Sequence, residues 1–99
     1  MVKHMIIWKL KEDLREPRAR AAEIKRALED LNGKIDGLIK MQIITEGLPS
    51  SAGDLMMDSL FESNEALCAY QEHPAHRKIA EGLVRPAVCQ RLSFDYTLS

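Results

Sequence analysis

The sequence predicts an α+β domain of the ferredoxin-like class, with the element order β-α-β-β-α-β. The apolar residues alternate with a period of two in four segments and recur every three to four residues in two others. The order of these segments is that of the split βαβ arrangement. At 99 residues, without an internal repeat or linker, the chain suits a single domain over residues 1–99. We therefore expect one four-stranded antiparallel sheet with its helices on one face.

A change of period separates the first strand from the first helix. Residues 2–10 (VKHMIIWKL) alternate, and their β-branched and aromatic content is typical of a strand. The side chains expected to face the helices are Val2, His4, Ile6, Trp8 and Leu10. From Pro17, a favourable residue for a first helical turn, apolar residues recur at intervals of four, three and four. They are Ile24, Leu28, Leu31 and Ile35, and Gly33 is the expected C-terminal stop.

The next two strands are separated by a loop. Residues 38–47 alternate again, with Ile39, Met41 and Ile43 expected on one face. Residues 48–54 (LPSSAGD) collect proline, serine and glycine, which favours a loop. Residues 55–61 (LMMDSLF) form the third strand.

The second helical segment is expected to break at a proline. Ser63 or Asn64 is the predicted N-cap, and Leu67 and Tyr70 share the inner face. Pro74 predicts a break after His73, followed by a short helix over about 75–84 that buries Ile79 and Leu83. Pro86 ends this helix. Residues 87–98 form the last strand, whose expected inward side chains are Val88, Leu92, Phe94 and Tyr96.

Composition excludes several classes of function. Fourteen basic residues against fifteen acidic ones leave no basic stripe for a nucleic acid, although RNA-binding RRM domains share this element order. The apolar runs are far shorter than the roughly 20 residues of a membrane span. Residues 1–30 show no signal-peptide pattern, so we expect a cytoplasmic protein. Cys68 and Cys89 form no CxxC motif and are expected to be small buried hydrophobic residues.

The sheet face away from the helices is expected to carry an apolar patch, which usually marks a partner surface. Its residues are Met5, Ile7, Ile44, Met56 and Leu60, among Lys3, Lys9, Lys40 and Arg91. Two copies of the chain would cover this face symmetrically, so we expect a homodimer.

Five motifs in order resemble the Dabb family, the stress-responsive A/B barrel domain. They are MVKHMIIWKLK, GKIDGL, DLMMDSLFES, ALCAYQEHPAH and RLSFDY. The resemblance covers residues 1 to about 96. It implies a dimeric α+β barrel in which two sheets pair, and most family members have no established activity.

Around HPAH and FDYT the chain resembles the plant polyketide cyclases of this family. They fold a linear tetraketide-type thioester product by aldol condensation without a cofactor. The resemblance implies that Tyr70 and His76 are catalytic and that His4 lines the cavity. Leu55 stands where these cyclases carry another histidine, so cyclase or aldolase-like catalysis is kept as an alternative.

The residues themselves suggest a pocket between the sheet and the helices. His4, Trp8, Tyr70, His73 and His76 form the candidate ligand-binding set. If this site is catalytic, His76 accepts an α-proton from the ligand and Tyr70 donates a hydrogen bond to the developing oxyanion. His73 orients the site. We expect a small apolar or carbonyl-bearing ligand and no cofactor.

Three other interpretations remain open. The side chains of the tyrosine and the three histidines could simply pack, with Tyr70 in the core and His73 capping a helix. A metal could bind if His4 joined the other histidines, but zinc needs at least three protein ligands and no carboxylate obviously converges, so no metal is expected. The chain could also be a non-catalytic, stress-related interaction module.

Overall fold

The computed structural model describes residues 1–98 and confirms the ferredoxin-like arrangement. The strands are β1 (Val2–Leu10), β2 (Leu38–Ile44), β3 (Leu55–Phe61) and β4 (Val88–Thr97). The helices are α1 (Pro17–Glu29), α2 (Asn64–Glu72) and α3 (Pro74–Ile79). The strands form one antiparallel sheet in the order β2-β3-β1-β4.

The core lies between the sheet and the helices. The inner row of β1 is buried as predicted, and Ile24 and Leu28 of α1 pack against it. The helix ends at Glu29, before the predicted stop. Leu31 and Ile35 are still buried, but they lie in the turns that follow. Gly33 adopts a φ of 80° within these turns, a conformation that favours glycine.

The second helical segment breaks where Pro74 predicts. The Ser63 hydroxyl accepts a hydrogen bond from the amide of Ala66 and so caps α2. His73 is extended and separates α2 from α3, which continues through a π-helical turn (Ala80–Val84) and a 3-10 turn (Arg85–Ala87). The inward residues of these turns are Val84 and Ala87, whereas Ile79 and Leu83 are only half-buried.

One residue of β2 departs from the predicted alternation. Met41 and Ile43 are buried, but Ile39 is exposed. The pairing of β2 with β3 shifts register between Leu38 and Lys40, as at a β-bulge. The extra residue reverses the alternation, so the prediction that Ile39 shares a face with Met41 and Ile43 is wrong.

The prediction for β4 had the right period and the wrong phase. Leu92, Phe94 and Tyr96 are 61%, 70% and 42% exposed, and they pair with Ile7, Met5 and Lys3 on the open face. The helix-side residues of β4 are polar: Arg91, Ser93 and Asp95. Arg91 was expected on the open face and lies opposite Trp8 instead. Alternation fixes which residues share a face but not which face meets the helices.

The cysteines also differ from expectation, because both are exposed. Cys68 follows the buried Leu67 on α2 and therefore points away from the core. Cys89 lies on the edge strand β4, where its Sγ is 3.5 Å from the carbonyl oxygen of Leu10.

Among residues 1–98, no helix has the length and apolar character needed to cross a membrane.

Candidate functional site

A cavity of about 380 Å³ lies between the inner face of the sheet and the second helical segment. The apolar side chains of its wall come from β1, α1, β3 and the π-helical turn. The polar side chains come both from the sheet and from the second helical segment with its turns. The lining residues are His4, Ile6, Trp8, Leu28, Met57, Gln71, His76, Ala80, Val84, Arg85 and Arg91. Three members of the predicted site, His4, Trp8 and His76, are therefore brought together.

His4 is held by the last strand. The β1–β4 register places His4 opposite Asp95, and the Nδ1 of His4 donates to the Oδ1 of Asp95 at 2.5 Å. His4 is 2% exposed, and on its other side the hydroxyl of Ser59 donates to the His4 carbonyl oxygen. With Nδ1 bonded to a carboxylate, Nε2 is the ring nitrogen left for a ligand.

Tyr70 is the most buried of the candidate residues, at 1% exposure, and it packs against His76 without being one of the residues that line the cavity. Its ring lies 5.0 Å from the ring of Phe61 and 4.3 Å from that of His76, measured between centroids. Its hydroxyl is buried and has no hydrogen-bond partner within residues 1–98. Burial raises the pKa of Tyr70, against a smaller opposing effect of the Arg91 charge, so the phenol stays protonated and can donate.

His76 lines the cavity and is half-buried there. Burial lowers the pKa of His76, and the positive charges of Arg91 and Arg85 act in the same direction, against the hydrogen bond to Gln71. The Nδ1 of His76 lies 3.3 Å from the carbonyl oxygen of Gln71, an acceptor, so Nδ1 carries the proton. The neutral ring then presents Nε2 as a proton acceptor.

His73 lies outside the cavity lining. Its Nδ1 accepts a hydrogen bond from the amide of Ala75 and so caps the N-terminus of α3. Since α3 carries His76, the cap fixes the start of the helix that positions His76.

Sequence reasoning missed four polar residues of this site: Gln71, Arg85, Arg91 and Asp95. Asp95 belongs to the FDYT motif, but the wrong phase of β4 directed it away from the helices. The same error hid Arg91, and Arg85 lies in a turn for which periodicity carries no signal.

Within residues 1–98, no three histidine, cysteine, aspartate or glutamate side chains come close enough together to hold a metal ion.

Comparison with known families gives one match, to the stress responsive A/B barrel domain (Dabb), over residues 2–98. This confirms the resemblance found in the five sequence motifs. No functionally curated protein matches the chain.

Solved structures match over nearly the whole chain. A dimeric protein of unknown function with a ferredoxin-like fold from Bacteroides fragilis is 24% identical, with 98% of this chain and 95% of that chain covered and a TM-score of 0.88. A Dabb family protein from Mesorhizobium loti is 18% identical, with 99% and 96% covered and a TM-score of 0.76. A hydroxynitrile lyase from Passiflora edulis is 16% identical, with 99% and 93% covered and a TM-score of 0.82. At these identities the likeness shows the fold alone.

Proposed function

Because this chain belongs to the stress responsive A/B barrel (Dabb) family, we propose that it binds a small, largely apolar molecule with a carbonyl group between sheet and helices. The observation that carries the proposal is the cavity of about 380 Å³, in which two imidazoles lie among apolar side chains of the sheet and helices. Ligand sites commonly combine an apolar lining with a few convergent polar groups. At about 30 Å³ per water, this volume equals roughly a dozen water molecules, which suits a ligand of similar heavy-atom count.

The polar groups suit a carbonyl oxygen and the carbon beside it. The Tyr70 hydroxyl is a buried donor without a protein partner, so a ligand oxygen that accepted its hydrogen bond would relieve an unpaired polar group. His76 offers a neutral nitrogen beside that phenol. In this arrangement Tyr70 and His76 contact the carbonyl end, and Trp8 and His4 line the pocket.

A second candidate function, cofactor-free acid–base catalysis, is favoured by the neutral state of His76 beside the ring of Tyr70. In an enolisation, Nε2 of His76 takes the α-proton and the C–H electron pair forms the enol double bond. The carbonyl π electrons move to oxygen, where Tyr70 donates a hydrogen bond. Such a step begins an aldol-type cyclisation. A hydroxynitrile lyase shares this fold, although at 16% identity.

The proposed assembly is a homodimer through the open face of the sheet. The three outward apolar residues of β4 join the apolar residues predicted for this face. The exposed or half-buried apolar residues of the open face are Met5, Ile7, Ile44, Met56, Leu60, Leu92, Phe94 and Tyr96. Contiguous apolar surface of this kind usually marks a partner site. The Bacteroides fragilis protein of the same fold is described as dimeric.

The catalytic candidate is tested by proton exchange on phenylacetone, a neutral ketone of suitable size. Proton NMR in D₂O follows deuterium incorporation at the carbon next to the carbonyl. We expect the protein to accelerate this exchange and His76→Gln to reduce the acceleration by about 10²-fold or more, the usual contribution of a general base. Arg77→Gln is the matched control, because Arg77 is exposed on the same helix and adjacent to His76.

Two outcomes separate binding from catalysis. If phenylacetone binds but no variant or wild-type protein accelerates the exchange, the chain is a binding protein and the catalytic candidate is refuted. If His76→Gln exchanges as fast as the wild type, His76 is not the base.

A further inference from the structure

Two arginines from different elements converge on the cavity beside His76. Arg91 lies on the helix side of β4, opposite Trp8 in the register with β1. Arg85 lies in the 3-10 turn that leads into β4. Both line the cavity, and both charges act on His76. A turn and a strand thus place two guanidinium groups at the polar wall of a pocket that is otherwise mainly apolar.

Neither arginine has an acidic partner within the part of the chain that the structure describes. No carboxylate of residues 1–98 lies within 4.0 Å of the Arg85 or Arg91 guanidinium, whereas Arg20 and Arg77 each have a glutamate within that distance. The acidic residue that contacts the cavity wall, Asp95, is engaged by His4. The polar wall therefore carries positive charge that no acidic residue among residues 1–98 neutralises.

An anionic ligand group would complement this charge. Guanidinium groups bind carboxylates through two parallel hydrogen bonds, which fixes orientation as well as adding affinity. A ligand cation would be repelled by both arginines. Beside them, the neutral His76 and the Tyr70 hydroxyl suit a carbonyl group.

We propose that the cavity selects oxo acids, with the ligand carboxylate held by Arg85 and Arg91 and its carbonyl directed to His76 and Tyr70. The apolar remainder of the ligand packs against Ile6, Trp8 and Leu28. This inference rests on the proposed ligand-binding function and adds the chemical class of the ligand to it.

A matched pair of probes tests the charge requirement. 4-Oxo-4-phenylbutanoate and its carboxamide have the same shape and differ in charge, so their dissociation constants are compared by NMR titration. We expect the carboxylate to bind at least tenfold more tightly than the carboxamide. In Arg85→Gln/Arg91→Gln this preference should disappear, so that the two probes bind with equal affinity. Both arginines are exposed, so the variant should keep its fold, which its amide spectrum verifies.

Arg77→Gln removes an exposed arginine outside the cavity and should retain the full preference. Equal affinities of the two probes for the wild type would overturn the oxo acid inference and leave the binding function standing. A carboxylate preference that survived in the double variant would also overturn it, because the anion would bind elsewhere. If neither probe bound, the proposed function would fail and this inference with it.

Discussion

Tyr70 combines two properties that a purely structural residue does not need together. It is almost completely buried, and its hydroxyl has no hydrogen-bond partner among residues 1–98. A buried polar group without a partner costs about 1–3 kcal/mol. Such a cost is typical of functional sites, where a group is held ready for a ligand at the expense of stability.

Replacing Tyr70 by phenylalanine therefore separates function from packing. The ring and its contact with Phe61 are retained and the unpaired hydroxyl is removed. We expect the free energy of unfolding, measured with urea, to stay equal or to rise by about 1 kcal/mol. Affinity for phenylacetone should fall in the same variant. A loss of stability beyond about 1 kcal/mol would mean that the hydroxyl is already bonded in the free protein.

His76 should make stability depend on pH. Its folded pKa is lowered below the ordinary value of about 6.5, first by burial, so protonation favours the unfolded chain. The stability that this residue contributes is complete above about pH 6.5 and decreases as the pH falls toward the folded pKa.

Urea unfolding at pH 7.5 and pH 5 tests this dependence. The wild type should lose more stability over that interval than His76→Gln, whose side chain does not titrate. Identical losses in the two proteins would show that His76 keeps an ordinary pKa in the folded state.

At the scale of elements, α1 closes the outer edge of β2. The side chain of Asn32, just after α1, pairs with the backbone of Met41: its Nδ2 donates to the carbonyl at 2.9 Å, and its Oδ1 accepts from the amide at 2.8 Å. Two positions on, the Ile43 amide donates to Glu29 and the Ile43 carbonyl accepts from Lys25. Burial alone would raise the pKa of Glu29, but these bonds and the Lys25 charge lower it overall. Side chains thus occupy an edge where another strand would otherwise pair.

Removing the Asn32 side chain should open this edge. We expect Asn32→Ala to reduce the free energy of unfolding by about 1–3 kcal/mol, because the Met41 amide and carbonyl lose their partners. Hydrogen exchange at the Met41 amide should become faster. Asn64→Ala, at an exposed asparagine on α2, is the control and should change neither quantity. Unchanged exchange at Met41 in Asn32→Ala would show that the side-chain pairing does not protect the edge.

The elements also show how much of the fold and of the site can be predicted from the sequence. The period of β1 and the spacing of α1 fixed the core, since both elements have one apolar and one polar or mixed face. The helix break at Pro74 could be predicted because proline has no backbone N–H to donate within a helix. On β4, however, the apolar side faces away from the helices, so the usual assumption about the core assigned the wrong phase. That one error removed Asp95 and Arg91 from the predicted site. The bulge at Ile39 depends on pairing with β3, which a single segment does not encode.

At the scale of the whole molecule, the reversed phase of β4 enlarges the apolar open face. Phe94 is its most exposed β4 residue, 6.1 Å from the Tyr96 ring between centroids. We expect sedimentation at micromolar concentration to give twice the chain mass of 11.2 kDa. A charge buried in such an interface should disrupt it, so Phe94→Asp should sediment as a monomer.

Ala69→Asp provides the matched control, because Ala69 is exposed on α2, across the molecule from the open face. It should remain dimeric. A wild-type protein of single-chain mass, or a dimer that Phe94→Asp leaves intact, would refute an interface through this face.

The central claim is that a small carbonyl compound binds between the sheet and the helices, against two of the three histidines. The most direct measurement follows the ring signals of ¹³C-labelled histidines during a titration with phenylacetone. The account predicts that the signals of His4 and His76 shift along one saturation curve, while that of His73, which caps α3 outside the cavity, stays in place. Ring signals of His4 and His76 that remain fixed at saturating ketone would contradict it.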